Sequence, residues 1–381
     1  MRLATDPAAR RRLAFLVAAG LAALVAGIAA GAGDDEQPDP VRAQQQPQRE
    51  LLEAVDRLSL SQQVGQLTIS SFPGTAAPAY VRRRLRAGET AGVILFGPNG
   101  GPPQQWRRLT GSLQRASRQG ALVMVDQEGG EIRTVDWAGP VAGQPSQGGP
   151  DSVRRAWEST ARQLRAAGIN VNLAPVADVP EGAAPVMGSR SFAGDAEGVA
   201  ARTRAAVEGM SSAKLASTAK HFPGLGRASV NTDDGSAVVG GGLARDLIPF
   251  GAAVDAGVPL VMLSHALYPT IDRRRIASQS PMVIGLLREE LGFEGVVVTD
   301  SIEAQAVLDR SGIAAAAERS LRAGADLILM TGSASWNEVH PRLVARARRS
   351  PAFRERVRRS AARVLELKRF LGLRLPGSRV P

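Results

Sequence analysis

Eight short runs rich in β-branched and other apolar residues recur along this 381-residue chain, and longer amphipathic segments separate them. Runs such as GVILF, ALVMV, LVMLS and GVVVT are almost wholly apolar, which is typical of strands buried on both faces of a parallel sheet. Strands that alternate with helix-length segments indicate repeated βα units, and eight such units close into a barrel. We therefore predict an α/β fold, a single (β/α)8 barrel, with strands at 66–70, 92–96, 121–125, 169–179, 215–220, 260–264, 295–299 and 326–330.

The first 48 residues differ in composition from the rest. The cluster Arg10–Arg12 precedes an uncharged apolar run at 13–33, which predicts either a cleaved secretion signal or an N-terminal membrane anchor. Residues 34–48 are polar and contain proline, which is typical of a flexible linker. The predicted barrel therefore comprises residues 49–381. Because a basic flank stays on the inner side of the membrane, we expect the barrel to be exported, either anchored facing outward or secreted.

Composition excludes several kinds of site. The chain has no cysteine, so disulfides, thiolate zinc sites and a cysteine nucleophile are excluded. The formal net charge of +11 comes mostly from arginines on predicted helix surfaces, such as the basic helix at 81–87. Aromatic residues amount to only 4%, so we expect no nucleic-acid partner. No two of the three histidines stand at metal-ligand spacing, so we expect no metal.

Polar side chains follow the predicted strands at the points where those strands end. In a barrel the carboxyl ends of the strands meet at one mouth, where active sites lie. Charged donors and acceptors at fixed positions suit a hydroxyl-rich ligand, and a carboxylate held at a strand end suits a nucleophile. The pattern therefore predicts a sugar site. Its strand-end residues are Asp126, Asp178, Lys220, His221, His265 and Asp300.

Several motifs resemble glycoside hydrolase family 3, in particular its single-domain β-N-acetylhexosaminidases of bacterial cell-wall turnover. The resemblance spans about 51–373 and includes VDQEGG from Val125, GSRSFAGD from Gly188, KHFPGLG from Lys220 and LGFEGVVVTDS from Leu291.

The resemblance implies a retaining glycosidase that removes terminal β-linked N-acetylglucosamine, or a related β-hexose, from cell-wall glycans or muropeptides. The nucleophile would be Asp300, which would form a covalent glycosyl-aspartate. A carbohydrate partner and no cofactor are implied, and we expect a monomer. The residues implied to hold the sugar are Asp126, Arg190, Lys220 and His221, with Arg133 and His265 in support.

The loop that should carry the proton donor departs from the family pattern. Members usually read KHFPGHG followed after four residues by Asp-Ser-His, and that histidine is the general acid/base. Here Leu225 stands at the first histidine, and the second segment reads NTD at 231–233. Asp233 is then the candidate acid/base and Asp234 the second candidate, although a carboxyl starts from a pKa near 3.9 that must be raised. The alternatives are a carboxyl donor elsewhere, or a catalytically impaired barrel that binds glycan or muropeptide without efficient hydrolysis.

Overall fold

The structure is a computed structural model that describes residues 40–182 and 186–377, with side chains described from residue 48 onward. The chain divides into two units, Met1–Pro47 and Gln48–Pro381. The apolar run at 13–33 lies outside the described residues. In the described part, no helix combines the length and the apolar character needed to cross a membrane.

The described chain contains twelve short strands. They are β1 (Thr68–Ser70), β2 (Gly92–Ile94), β3 (Leu122–Val125), β4 (Gln127–Gly129), β5 (Ile132–Arg133), β6 (Val171–Asn172), β7 (Thr218–Phe222), β8 (Leu260–Leu263), β9 (Leu267–Tyr268), β10 (Asp272–Ile276), β11 (Val296–Thr299) and β12 (Ile328–Leu329).

Eight of these strands form the predicted barrel. Parallel pairing gives the order β12-β1-β2-β3-β6 in one sheet and β7-β8-β11 in another. Single parallel bridges from Val171 to Ala216 and from Val298 to Leu327 connect the two sheets into a ring. The (β/α)8 prediction is therefore confirmed, and the antiparallel pairs β4–β5 and β9–β10 are additions to the loops.

Helices follow the barrel strands and cover the outside of the ring. Five of the α-helices in the described chain begin at proline, whose fixed φ angle suits the first helical position. The helix after β8 continues as a π-helical turn over Leu286–Glu290. The α-helices are Pro40–Asp56, Leu60–Gly65, Ala79–Ala87, Pro103–Ala116, Pro150–Ala166, Ala196–Ser212, Ala244–Asp255, Pro281–Gly285, Gln305–Leu308, Ile313–Ala323, Trp336–Arg349 and Pro351–Phe370.

The first helix spans Pro40–Asp56. It begins at Pro40, inside the segment 34–48 that the sequence predicts as a flexible linker. The run VRAQQQ after Pro40 contains several good helix formers and no glycine, which favours a helix over a flexible chain.

Alternate residues of the barrel strands enter different apolar clusters. Val93 and Val123 pack in a cluster with residues of the outer helices, whereas Ile94, Leu122 and their equivalents on the other strands form the barrel interior. Leu367, from the last helix, belongs to this interior cluster. Because apolar side chains fill the interior, polar chemistry is left to the strand ends.

The fourth predicted strand differs most from expectation. The sequence predicts strand across 169–179, yet β6 contains only Val171 and Asn172. The Asn172 side-chain Oδ1 accepts from the Gln127 N–H at 3.0 Å, and Pro175 has no N–H to donate to a ladder. The chain therefore leaves the regular sheet after β6.

Lys368 is a buried cation within the base of the barrel. It is 1% exposed, and its Nζ donates to Gln66 Oε1 at 2.7 Å. Burial lowers the pKa of Lys368 to about 7. A folded-state pKa below the ordinary 10.5 means that the folded protein carries an unfavourable charge below pH 7.

We expect Lys368→Met to raise the free energy of unfolding by about 1–4 kcal/mol at pH 6, because the methionine fills the space without a charge. Between pH 7 and about 10 the wild type binds fewer protons when folded than when unfolded, so its stability rises and the advantage of methionine shrinks. Urea unfolding at pH 6 and pH 9 measures both values. The exposed Lys214→Met serves as the control, and a gain for Lys368→Met that is equal at both pH values would contradict the assignment.

Candidate active site

A chain of ion pairs crosses the mouth of the barrel from β3 to β7. The Lys220 Nζ lies 2.7 Å from Asp126 Oδ1 and 2.6 Å from Glu128 Oε1. Arg190 holds Glu128 from the other side through two hydrogen bonds, from Nε to Oε2 at 2.8 Å and from Nη2 to Oε1 at 2.7 Å. The predicted residues Asp126, Lys220 and Arg190 thus lie together in the structure, and Glu128, a buried carboxylate to which the sequence prediction gives no role, joins Lys220 to Arg190.

These groups are all charged. Burial opposes the charge of Glu128, but Lys220 and Arg190 outweigh it and lower the Glu128 pKa to about 2. Burial likewise opposes the charge of Lys220, and Asp126 and Glu128 raise its pKa above the ordinary value. The mutual attraction fixes the side chains in one arrangement, which is what recognition of a hydroxyl-rich ligand requires.

Lys220, Asp126 and Arg190 each keep a polar group for a ligand. The Lys220 ammonium has three donors, and two of them point to carboxylates. Asp126 Oδ2 has no hydrogen-bond partner among the described residues, and Arg190 Nη1 contacts only the sulfur of Met187, at 3.6 Å. Donors and an acceptor thus remain at the mouth for sugar hydroxyls.

His221 is oriented by a buried carboxylate. Its Nδ1 lies 2.8 Å from Asp178 Oδ2, while Asp178 Oδ1 accepts from the backbone N–H groups of His221 and Leu225. Asp178 is fully buried, and holding Nδ1 leaves the opposite nitrogen, Nε2, facing Asp300 Oδ2 at 3.9 Å. That separation is too long for a hydrogen bond, so Nε2 remains free for a ligand.

We expect Asp178→Asn to lower kcat/KM by about 10²-fold, because an amide at this position can donate to Nδ1 and so favours the other imidazole tautomer. The chain has three histidines, so ¹⁵N spectra of histidine-labelled protein report the His221 tautomer directly. An unchanged tautomer together with unchanged kcat/KM would show that Asp178 does not position the ring.

Asp300 stands directly after β11, as the sequence predicts. Its backbone N–H donates to Leu263 O at 3.1 Å, and its Oδ1 accepts from the Ser301 N–H at 2.8 Å. Burial opposes ionisation of Asp300, but its electrostatic interactions with His221, His265 and Lys220 and the hydrogen bond from the Ser301 N–H hold its pKa below the ordinary value. The carboxylate is therefore ionised, with Oδ2 directed towards His221.

His265 and Arg133 are occupied by protein groups. His265 is buried, its Nδ1 lies 2.7 Å from Ser278 Oγ, and its Nε2 lies 2.9 Å from Ser301 O. Burial lowers the His265 pKa, so the neutral ring donates from Nε2 to the carbonyl next to Asp300. The Arg133 guanidinium donates to the carbonyls of Asp136 and Ala138, the latter at 3.1 Å. Both ring nitrogens of His265 therefore contact protein groups, whereas Arg133 keeps its Nε without a hydrogen-bond partner among the described residues, and the supporting roles of these two residues stay predictions.

The 231–234 loop places Asp233 within electrostatic range of Asp300. The Asn231 side chain accepts from the Asp233 N–H at 3.2 Å, and the Asp233 carbonyl accepts from the Gln305 N–H at 3.2 Å. The Asp233 side chain is exposed, but the surrounding protein partly desolvates it, and this effect together with the charge of Asp300 raises its pKa. The shift has the direction that the sequence analysis requires of a carboxyl donor.

Two glycines, Gly224 and Gly226, allow the KHFPGLG segment to pass close to neighbouring residues. A Cβ on Gly226 would stand 1.9 Å from Val179 O, and Gly224 has a φ of +128°. Leu225 between them is 1% exposed and packs in an apolar cluster with Phe222 and Val239. The position where the family usually has histidine is therefore part of the core in this chain.

No cluster of three or more metal-ligating side chains occurs in the part of the chain that the structure describes. Two of the site residues have no specific role in the sequence prediction. Glu128 lies in the VDQEGG segment, and Asp178 is predicted only to stand at a strand end. The DQEGG motif was the available signal for Glu128. Nothing local to the sequence shows that Asp178 faces His221.

Comparison with known proteins gives consistent results. The model of the glycosyl hydrolase family 3 N terminal domain matches residues 59–367. A protein of Stenotrophomonas maltophilia (strain K279a) named beta-hexosaminidase is 35% identical over 289 residues, which cover 72% of this chain and 83% of that protein.

Two solved structures are similar over most of the chain. The family 3 β-N-acetylglucosaminidase from Paenibacillus sp. str. FPU-7 has a TM-score of 0.79 and 33% identity, covering 85% of this chain and 64% of that one. The β-N-acetylhexosaminidase from Beutenbergia cavernae DSM 12333 has a TM-score of 0.76 and 32% identity, covering 82% of this chain and 98% of that one. The described chain thus spans nearly the whole of one neighbour and about two thirds of the other.

Proposed function

Because this chain belongs to glycoside hydrolase family 3, we propose that it is a retaining glycosidase that removes terminal β-linked N-acetylglucosamine, or a related β-hexose, from cell-wall glycans or muropeptides. The names of its relatives support the activity. The observation that carries the proposal is Asp300 at the barrel mouth, with His221 Nε2 3.9 Å from its carboxylate, the Lys220 ion pairs nearby, and an electrostatic interaction with Asp233.

The first chemical step uses both carboxyl groups. Asp300 attacks the anomeric carbon, and the bond to the leaving oxygen breaks as Asp233 transfers its proton to that oxygen. The product is a glycosyl ester of Asp300 and an ionised Asp233. Lys220, Arg190 and Asp126 hold the sugar hydroxyls during this step through the groups that the ion-pair chain leaves free.

The second step follows from the electrostatic link between the two carboxyls. The charge of Asp300 contributes to the raised pKa of Asp233, and that charge disappears when the ester forms. The Asp233 pKa then falls, so the carboxylate can accept a proton from the water that attacks the anomeric carbon. One residue therefore serves as acid and then as base.

Substrate assays of the full-length protein test the proposal. We expect turnover of an aryl N-acetyl-β-glucosaminide, and slower turnover of the matching aryl β-glucoside. Aryl leaving groups need little protonation, so these substrates test Asp300 and the sugar site, whereas a natural cell-wall disaccharide also tests the acid. Hydrolysis of neither aryl glycoside, with measurable binding of N-acetylglucosamine, would instead support the glycan-binding alternative. The altered acid/base loop, with Leu225 and Asp233 in place of histidines, is the observation that favours that alternative.

We also propose that the barrel is exported as a monomer, through the apolar run at 13–33 acting as a signal or an anchor. Fractionation of cells that express the full chain separates the two forms. An anchored protein stays with the membrane, a cleaved one is found outside the cell, and a protein confined to the cytosol would contradict export.

A further inference from the structure

A cavity of about 740 Å³ lies between the helix that follows β1 and the start of the helix that follows β12. The volume is typical of sites that bind small molecules. Its lining combines arginines and aromatic rings, among them Tyr80, Arg83, Arg84 and Trp336. None of these residues takes part in the active site described above.

Arg84 is the unusual member of this lining. It is 8% exposed, and its Cζ lies 4.0 Å from the centroid of the Trp336 ring and 4.9 Å from that of Tyr80. Its Nη2 donates to Asn337 Oδ1 at 2.8 Å, but its Nη1 is buried without any hydrogen-bond partner. Among the described residues no carboxylate forms an ion pair with Arg84. Burial lowers the pKa of Arg84, and Glu89 offsets this only in part without forming an ion pair, so an anion in the cavity would stabilise the charge of Arg84 further.

The charges around Arg84 also favour an anion. Arg83, exposed on the same helix, adds a second positive charge to the lining. The acidic side chain of the lining is Glu89, and its carboxylate already accepts from Ser61 Oγ at 2.9 Å. The first residues of the helix Trp336–Arg349 line the cavity as well, and the amino end of a helix carries a partial positive charge.

Hydrogen bonds connect this cavity to the active-site mouth. Ser335, next to Trp336, donates through its hydroxyl to Glu303, and the Gly332 N–H donates to the same carboxylate at 3.0 Å. Glu303 also accepts from the hydroxyl of Ser301, the neighbour of Asp300, at 3.2 Å. The loop at one end of the cavity is therefore held by the residues that follow the nucleophile.

We propose that this cavity binds a carboxylate-bearing peptide, with the carboxylate held by Arg83 and Arg84 and the adjoining apolar part against Tyr80 and Trp336. Because Arg84 and His340 already stack on the Trp336 ring, the apolar part of the ligand packs against the edge of that ring and against Tyr80. The choice of a peptide rests on the proposed function, because muropeptides carry acidic peptides beside the sugar.

Calorimetric titration of the full-length protein with the acidic dipeptide N-acetylalanyl-glutamate tests the site, and its uncharged diamide is the matched ligand. We expect the acidic form to bind and the diamide not to bind. Arg83→Glu should weaken binding at least about tenfold, since it replaces an attractive charge by a repulsive one. Arg86→Glu makes the same change at an exposed position of the same helix outside the lining, and should leave Kd within about twofold.

Arg84→Gln should also weaken binding, but Arg84 is buried, so its replacement also changes the packing. Arg83 is exposed, so Arg83→Glu tests the site with the core intact. No binding up to about 10 mM, or equal weakening by Arg83→Glu and Arg86→Glu, would overturn the proposal. Hydrolysis of the aryl glycoside is measured in parallel and should not change in Arg83→Glu. Peptide binding by a protein that hydrolyses no glycoside would support this site while contradicting the proposed function.

Discussion

Asp300→Asn is expected to lower kcat for an aryl N-acetyl-β-glucosaminide by about 10³–10⁵-fold, because the amide cannot form the glycosyl ester. The substitution keeps the shape of the side chain and the acceptor for the Ser301 N–H, so the fold should be retained. Initial rates at saturating substrate measure the loss, and a thermal unfolding curve checks the fold.

A second variant tests the role of Asp300 by the stereochemistry of the product. In Asp300→Gly, azide can occupy the space of the carboxylate and attack a β-glycoside from the same side, which gives an α-glycosyl azide. Asp255→Asn, an exposed carboxylate paired with Arg204 on the outer helices, is the control and should keep wild-type activity. Full activity in Asp300→Asn, or a β-glycosyl azide from Asp300→Gly, would show that Asp300 is not the nucleophile.

The barrel could be predicted because each strand is short, apolar and buried on both faces, a pattern that few other folds use. Asp300 and Lys220 could be placed for the same reason, since each occupies the end of such a run. The strand prediction was wrong at 169–179, where a side chain rather than the backbone forms a hydrogen bond to the neighbouring segment. At β6, Asn172 bonds to the neighbouring chain and Pro175 lacks an N–H, so the apolar run at 169–179 is not one strand.

Contacts between residues far apart in the sequence are the part of the site that could not be predicted. Glu128 lies between Lys220 and Arg190, and Asp178 faces His221, yet neither pairing is visible in a single sequence, because dozens of residues separate the partners. The helix at 81–87 shows the same limit. Its arginines have the composition of a solvated basic surface, and only the fold shows that Arg84 is enclosed by aromatic rings.

Loss of the Asp233 carboxyl should slow hydrolysis most for substrates whose leaving group needs a proton to depart. Asp233→Ala is expected to lower kcat/KM for a natural N-acetylglucosaminyl disaccharide by about 10²–10⁴-fold. For a dinitrophenyl glycoside, which leaves without a proton, the first step should slow by less than about tenfold. Hydrolysis of the ester then limits the rate, so a burst of dinitrophenol should appear. Azide should accelerate turnover and yield a β-glycosyl azide, the opposite anomer to that from Asp300→Gly.

The pH dependence gives an independent test, because the two carboxyls are shifted in opposite directions. Activity on the disaccharide requires ionised Asp300, whose pKa is lowered, and protonated Asp233, whose pKa is raised. The rate should therefore rise with pH through the first pKa and fall through the second, and only the alkaline fall should disappear in Asp233→Ala. Asp234→Ala is the matched comparison in the same loop and should keep both limbs.

If Asp234→Ala removes the alkaline limb and Asp233→Ala keeps it, the proton comes from Asp234. If both variants keep it, the donor lies outside the loop, and the raised pKa of Asp233 reflects only its closeness to the charge of Asp300.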